Sequence, residues 1–137
     1  AVFAQNSCPK GYEKNLNLIR NPFFDDGLSG FYSDYKKNET KDWFAGSIYC
    51  TTQPSNLHNN YRLCLDSLFD TRGNLLVVDG AQNRKMVVWQ QKIKTETQNT
   101  YLLSLFFATL MQHNPAQLEI SINNVRLPTP FDYRYQH

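Results

Sequence analysis

The residues best suited to chemistry fall in one aromatic-rich stretch. Phe31, Tyr32, Asp34, Tyr35, Trp43 and Phe44 are interleaved there with Lys36, Lys37, Asn38 and Asp42. Exposed aromatic faces stack on the C–H surfaces of sugar rings, and a few polar groups then fix the orientation of the hydroxyls. Tyr32, Asp34, Tyr35, Trp43 and Phe44 form the candidate ligand-binding set, with Tyr49 and Tyr61 placed to flank it. The competing reading uses Phe31 and Trp43 to fill the edge of a core. Trp89 is assigned to the core, because it alternates with Val87 in an apolar run.

Other chemistries find little support. Asp66 and Asp70 lie close together, but turn carboxylates are far commoner than catalytic pairs, whose separation cannot be read from sequence. No G-x-S-x-G, H-E-x-x-H or Gly-rich phosphate loop occurs, so the chain is read as non-catalytic. His58, His113 and His137 are isolated and no C-x-x-C is present, which excludes the usual zinc spacings. His58 and His113 are read as solvated loop residues. Thr71-Arg72-Gly73-Asn74 reads as a turn. Asn38-Glu39-Thr40 is a formal glycosylation sequon, relevant only in a host that glycosylates; a bacterial source is expected.

Cys8, Cys50 and Cys64 leave one thiol over after any pairing. In an oxidising compartment a bridge between Cys50 and Cys64 would close the polar loop TTQPSNLHNNYRL and contribute about 3 kcal/mol by restricting the unfolded chain. Cys8 paired with either of the others is the alternative. The opening residues 1–7 read as the remnant of a secretory signal or as a flexible arm.

These residues need a scaffold. At 137 residues the chain fits one domain, residues 1–137, with no room for a second full core. Its 41% hydrophobic content argues against a wholly disordered chain. A net charge of +2, with scattered basic residues, excludes a strongly basic nucleic-acid binder. No apolar run approaches the ~20 residues of a membrane-spanning helix.

Strand signals dominate. Leu75–Val78 is a short apolar run ending at Asp79-Gly80. Met86–Ile93 alternates, with Val87, Trp89, Gln91 and Ile93 on one face, and forms a hairpin with the preceding run through AQNRK. Tyr101–Leu110 is apolar on both sides, which predicts a central strand. In QLEISINNVRL, Leu118, Ile120 and Ile122 share a face, and Asn123-Asn124 marks a tight turn because Asn tolerates positive φ. NLNLIRNPFF predicts a short strand stopped at Asn21-Pro22, and DDGLSG a turn. Phe31–Cys50 shows no clear period. Short strands separated by turns predict an all-β sandwich or barrel.

The run Asn21, Phe24, Asp25, Gly27, Gly30, Phe31 resembles the opening of carbohydrate-binding-module-type jelly rolls, the galactose-binding-like β-sandwich group. CLDSLFDTRGNLLVVDGA, then VVWQQKI, then NTYLLSLFFATL, is similar to runs in secreted bacterial multidomain surface proteins, as is PAQLEISINNVRL. Order and spacing agree from Asn17 to Leu127. The resemblance implies a jelly-roll β-sandwich, incomplete at the C-terminus because the group usually continues for several more strands beyond the point where this chain stops. Ser67 stands where many relatives carry His, so any role of that His is lost. Asp25 matches an acidic residue that often binds structural calcium in the group, and Asp26 beside it could supply a second ligand.

The resulting expectation is a secreted or cell-surface, non-catalytic module that binds a glycan or mediates adhesion. The alternative is a structural subunit or fragment of a bacterial surface assembly, completed by a partner's strands at an open sheet edge.

Overall fold

The computed structural model describes residues 17–61, 73–83, 85–105, 107–111 and 116–128. Within them the architecture is β-rich, with five short strands, one 3-10 turn and no α-helix. The central sheet has the order β1 (Lys36–Lys37), β2 (Ser47–Thr51), β3 (Leu75–Val78). β1 runs parallel to β2, and β2 antiparallel to β3 with Ile48 opposite Val78 and Thr51 opposite Leu75. A separate hairpin joins β4 (Ser121–Ile122) to β5 (Val125–Arg126).

β3 is the expected LLVV run, and its composition explains its place. An uncharged aliphatic strand with no polar side to offer water is stable only when covered on both faces. Leu75 and Val77 pack with Leu57, Tyr61 and Leu110, and Trp43 and Tyr49 lean on that cluster. Leu76 and Val78 pack on the other face with Phe24 and Ile48, ringed by Leu28, Phe31, Tyr35, Cys50, Val88 and Trp89. Leu76 and Val77 are fully buried. Each such side chain contributes roughly 1.5–3 kcal/mol.

Phe31–Lys36 leads into β1 with a strict alternation: Phe31, Ser33 and Tyr35 are half-buried, while Tyr32, Asp34 and Lys36 are exposed. The segment first pairs with residues 87–90 and then switches to β2. Tyr32 and Gln90 exchange both backbone hydrogen bonds at 2.9 Å, the Asp34 amide donates to the Val87 carbonyl at 2.9 Å, and the Lys36 amide donates to the Gly46 carbonyl at 2.8 Å. A period is therefore present where the sequence showed none, because an aromatic at the outward position 32 hides it.

Several expected strands are not formed. Met86–Ile93 contributes only the isolated bridge at Gln90, and its partner is Tyr32 rather than the 75–80 run, which pairs with β2 instead. Val88 and Trp89 both reach the same core cluster, so the simple two-residue alternation fails there. No strand occurs among the described residues of 101–110, and Tyr101, Leu102 and Leu103 are exposed rather than central. The 17–24 segment is turn rather than strand. The Asn123-Asn124 turn forms as expected, with φ of 51° and 63°, the pair of left-handed residues that suits a two-residue hairpin.

Candidate functional site

The site begins with the loop that leads into it. Asn21 adopts φ 51°, and its amide Nδ2 donates to the carbonyls of Gly27 at 2.9 Å and Ser29 at 3.0 Å. Its Oδ1 accepts from the Asp26 amide at 3.1 Å. One side chain thus gathers three backbone groups of the turn. Phe24 drops from this loop into the core and meets Phe31 edge-on at 6.0 Å between ring centres; Phe31 in turn lies 6.3 Å from Trp89. Gly30 has φ 83°, and a Cβ there would sit 3.4 Å from the Arg20 Cβ. The pattern Asn21, Phe24, Gly27, Gly30, Phe31 is therefore a staple that sets the entry angle of the extended segment carrying Tyr32.

Tyr32 is 56% exposed, yet its ring is not free. Its hydroxyl donates to Asp34 Oδ1, and Asp34 Oδ2 accepts from the Val87 amide at 2.7 Å. Residues two apart on an extended segment share a face, so phenol and carboxylate meet without distortion. The phenol and the Val87 amide hold the Asp34 carboxyl below the usual carboxylate range. The same bond and charge raise the Tyr32 phenol above its ordinary value. The result is an outward aromatic face tied at its far end to an ionised carboxylate.

Tyr35, Trp43, Tyr49 and Tyr61 do not join that face. Tyr35 turns inward to the cluster around Leu76 and Val78, and its hydroxyl accepts from the Ala81 amide at 3.2 Å. Trp43 packs on the opposite side of the sheet, edge-on to Tyr61 at 5.6 Å. Its Nε1 is buried and has no acceptor among the described residues. His58 stacks on Tyr61 at 5.0 Å, so it is half-buried rather than a solvated loop residue. Tyr49 lies on the Trp43 side, beneath the ammonium of Lys37 at 5.8 Å. Phe44 is 49% exposed at the turn before β2. The sheet thus divides the aromatic stretch between its two faces.

Burial pushes the Tyr61 phenol up to about 12, with Asp79 adding to the effect. Burial alone pushes the Cys50 thiol up to about 11. Cys50 is a free, half-buried thiol on β2, so the expected bridge from Cys50 to Cys64 is not formed. Cys8 and Cys64 lie outside the described residues, as do Asp66, Ser67, Asp70, His113, His137 and the opening arm.

Asp25 and Asp26 are both exposed, side by side in the Asn21 loop. Among the described residues no group of three or more His, Cys, Asp or Glu side chains is placed to hold a metal ion. The Gly27 and Ser29 carbonyls that could complete an oxygen cage are held by the Asn21 amide. The Asn21 side chain organises this loop.

Asn38, one of the polar residues interleaved with the aromatics and the head of the sequon, is a structural residue. It is buried, donates to the Asp42 carbonyl at 3.0 Å and to Ser47 Oγ at 3.3 Å, and accepts from the amide and hydroxyl of Thr40. Its amide nitrogen is therefore spent on the turn between β1 and β2. Among the described residues no helix is long and apolar enough to cross a membrane. Comparison of the chain with protein families, with curated proteins and with solved structures finds no match.

Proposed function

We propose that this chain is a non-catalytic β-sandwich module of the cell exterior that binds glycan through the face carrying Tyr32. The observation that carries the reading is an exposed aromatic ring fixed in place, Tyr32 held by Asp34, which is held by Val87. A ring fixed before binding loses little conformational entropy when a sugar stacks on it. Asp34 retains acceptor capacity for a sugar hydroxyl. Support for a sandwich comes from β3, which is covered on both faces. Affinity electrophoresis through gels containing individual polysaccharides tests the reading. At least one polysaccharide should retard the wild-type chain and not Tyr32→Ala; equal mobility in every gel contradicts it.

A second reading, the assembly subunit, is favoured by a different observation. Tyr101, Leu102 and Leu103 are 44%, 47% and 46% exposed, at the start of the uncharged run YLLSLFFATL. Exposed apolar segments of high β-propensity are the kind that pair with another chain. Light scattering after size exclusion separates the two: a monomer near 16.0 kDa supports the glycan module, and a defined oligomer supports the subunit.

A further inference from the structure

We propose that Gln90 completes the Tyr32 site as the side chain that reads sugar hydroxyls, and that the unit it reads is a neutral pyranose. The inference rests on the glycan reading above and names its ligand class. Tyr32 and Gln90 face each other across a closely bonded antiparallel pair. Directly opposed residues place their side chains on the same face, roughly 5 Å apart at Cβ. Gln90 is exposed, and its amide makes no hydrogen bond with any described residue. Its neighbour behaves differently: the Gln91 amide is consumed by the backbone of Arg20, accepting from the amide at 3.0 Å and donating to the carbonyl at 2.7 Å. Of two adjacent glutamines, one is structural and the other is left beside an exposed, fixed aromatic ring.

The chemistry of the three groups selects the ligand. Tyr32 supplies a flat face for sugar C–H groups. Gln90 supplies a donating NH2 beside an accepting carbonyl oxygen, which matches a pair of neighbouring hydroxyls. Asp34 is acceptor-only and ionised, so it accepts from a hydroxyl and opposes a carboxylate or sulfate with like charge. Neutral hexose or pentose units satisfy all three groups; uronate and sulfated units do not.

The test uses the full chain against neutral polysaccharides (a mannan, a galactan, a xylan, a β-glucan) and acidic ones (polygalacturonate, alginate, a sulfated galactan). At least one neutral polymer should bind, with every acidic polymer about tenfold weaker or worse. Gln90→Ala should weaken the neutral complex about tenfold, the loss of one well-placed hydrogen-bonding group. Its unfolding midpoint in urea should match wild type, since the side chain is exposed and makes no hydrogen bond with any described residue. Asp34→Asn should narrow the gap between neutral and acidic polymers. If Tyr32→Ala abolishes binding but Gln90→Ala stays within about twofold of wild type, the Gln90 assignment fails and the glycan reading stands. Preference for an acidic polymer overturns the ligand class. If no polysaccharide binds, the glycan reading fails and takes this inference with it.

Discussion

Tyr32 and Asp34 stand two residues apart on the outward face of an extended segment, and the phenol of one donates to the carboxylate of the other. The second oxygen of that carboxylate anchors the Val87 amide at 2.7 Å, so a single side chain links an exposed ring to a neighbouring segment. The link has a defined pH window. The Asp34 carboxyl is lowered by its partners, so its contribution is present above the ordinary carboxylate value and is lost as pH falls through the folded value. The Tyr32 phenol is raised, so its contribution is present below the ordinary phenol value and is lost as pH rises through the folded value. The Val87 amide resonance should hold steady from about pH 5 to pH 9 and move at both extremes. In Asp34→Ala that resonance should lose its acid-side movement. An unchanged acid limb in the variant would show that Asp34 is not its partner.

Asn21 carries the loop ahead of the site, and two substitutions separate its two contributions. Asn21→Gly keeps the left-handed backbone at φ 51° and removes three hydrogen bonds. It should cost about 2 kcal/mol. Asn21→Ala adds the strain of a side chain in that conformation and should cost about 1 kcal/mol more. Urea denaturation reads both. Equal midpoints for the two variants would remove the backbone part of this explanation.

Asn38 should prove a structural residue rather than a modification site. Asn38→Ala leaves Ser47 and the Asp42 carbonyl short of a donor in a buried place, a loss of about 2–3 kcal/mol. Expressed in a glycosylating host, the folded chain should carry no sugar at Asn38, read from its intact mass. A folded, fully glycosylated product would contradict the geometry.

How much of this was legible in the sequence depends on what each residue does. LLVV announced β3, because an uncharged aliphatic run has only one stable place, between two covered faces. Asn123-Asn124 announced its turn, because few other pairs adopt left-handed backbone so readily. The Asn21–Phe31 pattern was visible, but the three bonds by which the Asn21 side chain holds the loop were not, because spacing does not show which backbone groups a side chain reaches. The division of the aromatic stretch between two faces was hidden for a related reason. Tyr32 and Tyr35 are chemically alike, and only the alternation set by pairing with residues 87–90 turns one outward and the other into the core. Trp43 is separated from Tyr32 by a change of sheet face, which no local pattern encodes. The alternation separates Gln90 from Gln91, but that the Gln91 amide is occupied by the backbone of Arg20, 71 residues away, no local pattern encodes.

Alkaline stability should follow two acids at the core, the half-buried Cys50 thiol on β2 and the buried Tyr61 phenol. With the thiols kept reduced, Cys50 and Tyr61 are both held protonated by burial, at about 11 and about 12. Both values are raised, so the stability linked to them is complete below the ordinary values of 9.0 and 10.0 and is lost as pH rises through the folded values. The urea midpoint should be flat from about pH 6 to pH 8 and fall above about pH 9. Cys50→Ala should delay that fall by about one pH unit. A midpoint that falls equally early in the variant would assign the alkaline loss to other groups.

The central claim is that the functional aromatic is Tyr32 and that Trp43 belongs to the core. The most direct measurement compares Tyr32→Ala and Trp43→Ala for urea stability and for binding to whichever polysaccharide retards the wild-type chain. Tyr32→Ala should lose binding at nearly unchanged stability, and Trp43→Ala should lose about 2 kcal/mol of stability while the fraction that remains folded binds as wild type does. A Trp43→Ala variant that is fully stable and no longer binds, beside a Tyr32→Ala variant that still binds, would contradict the account.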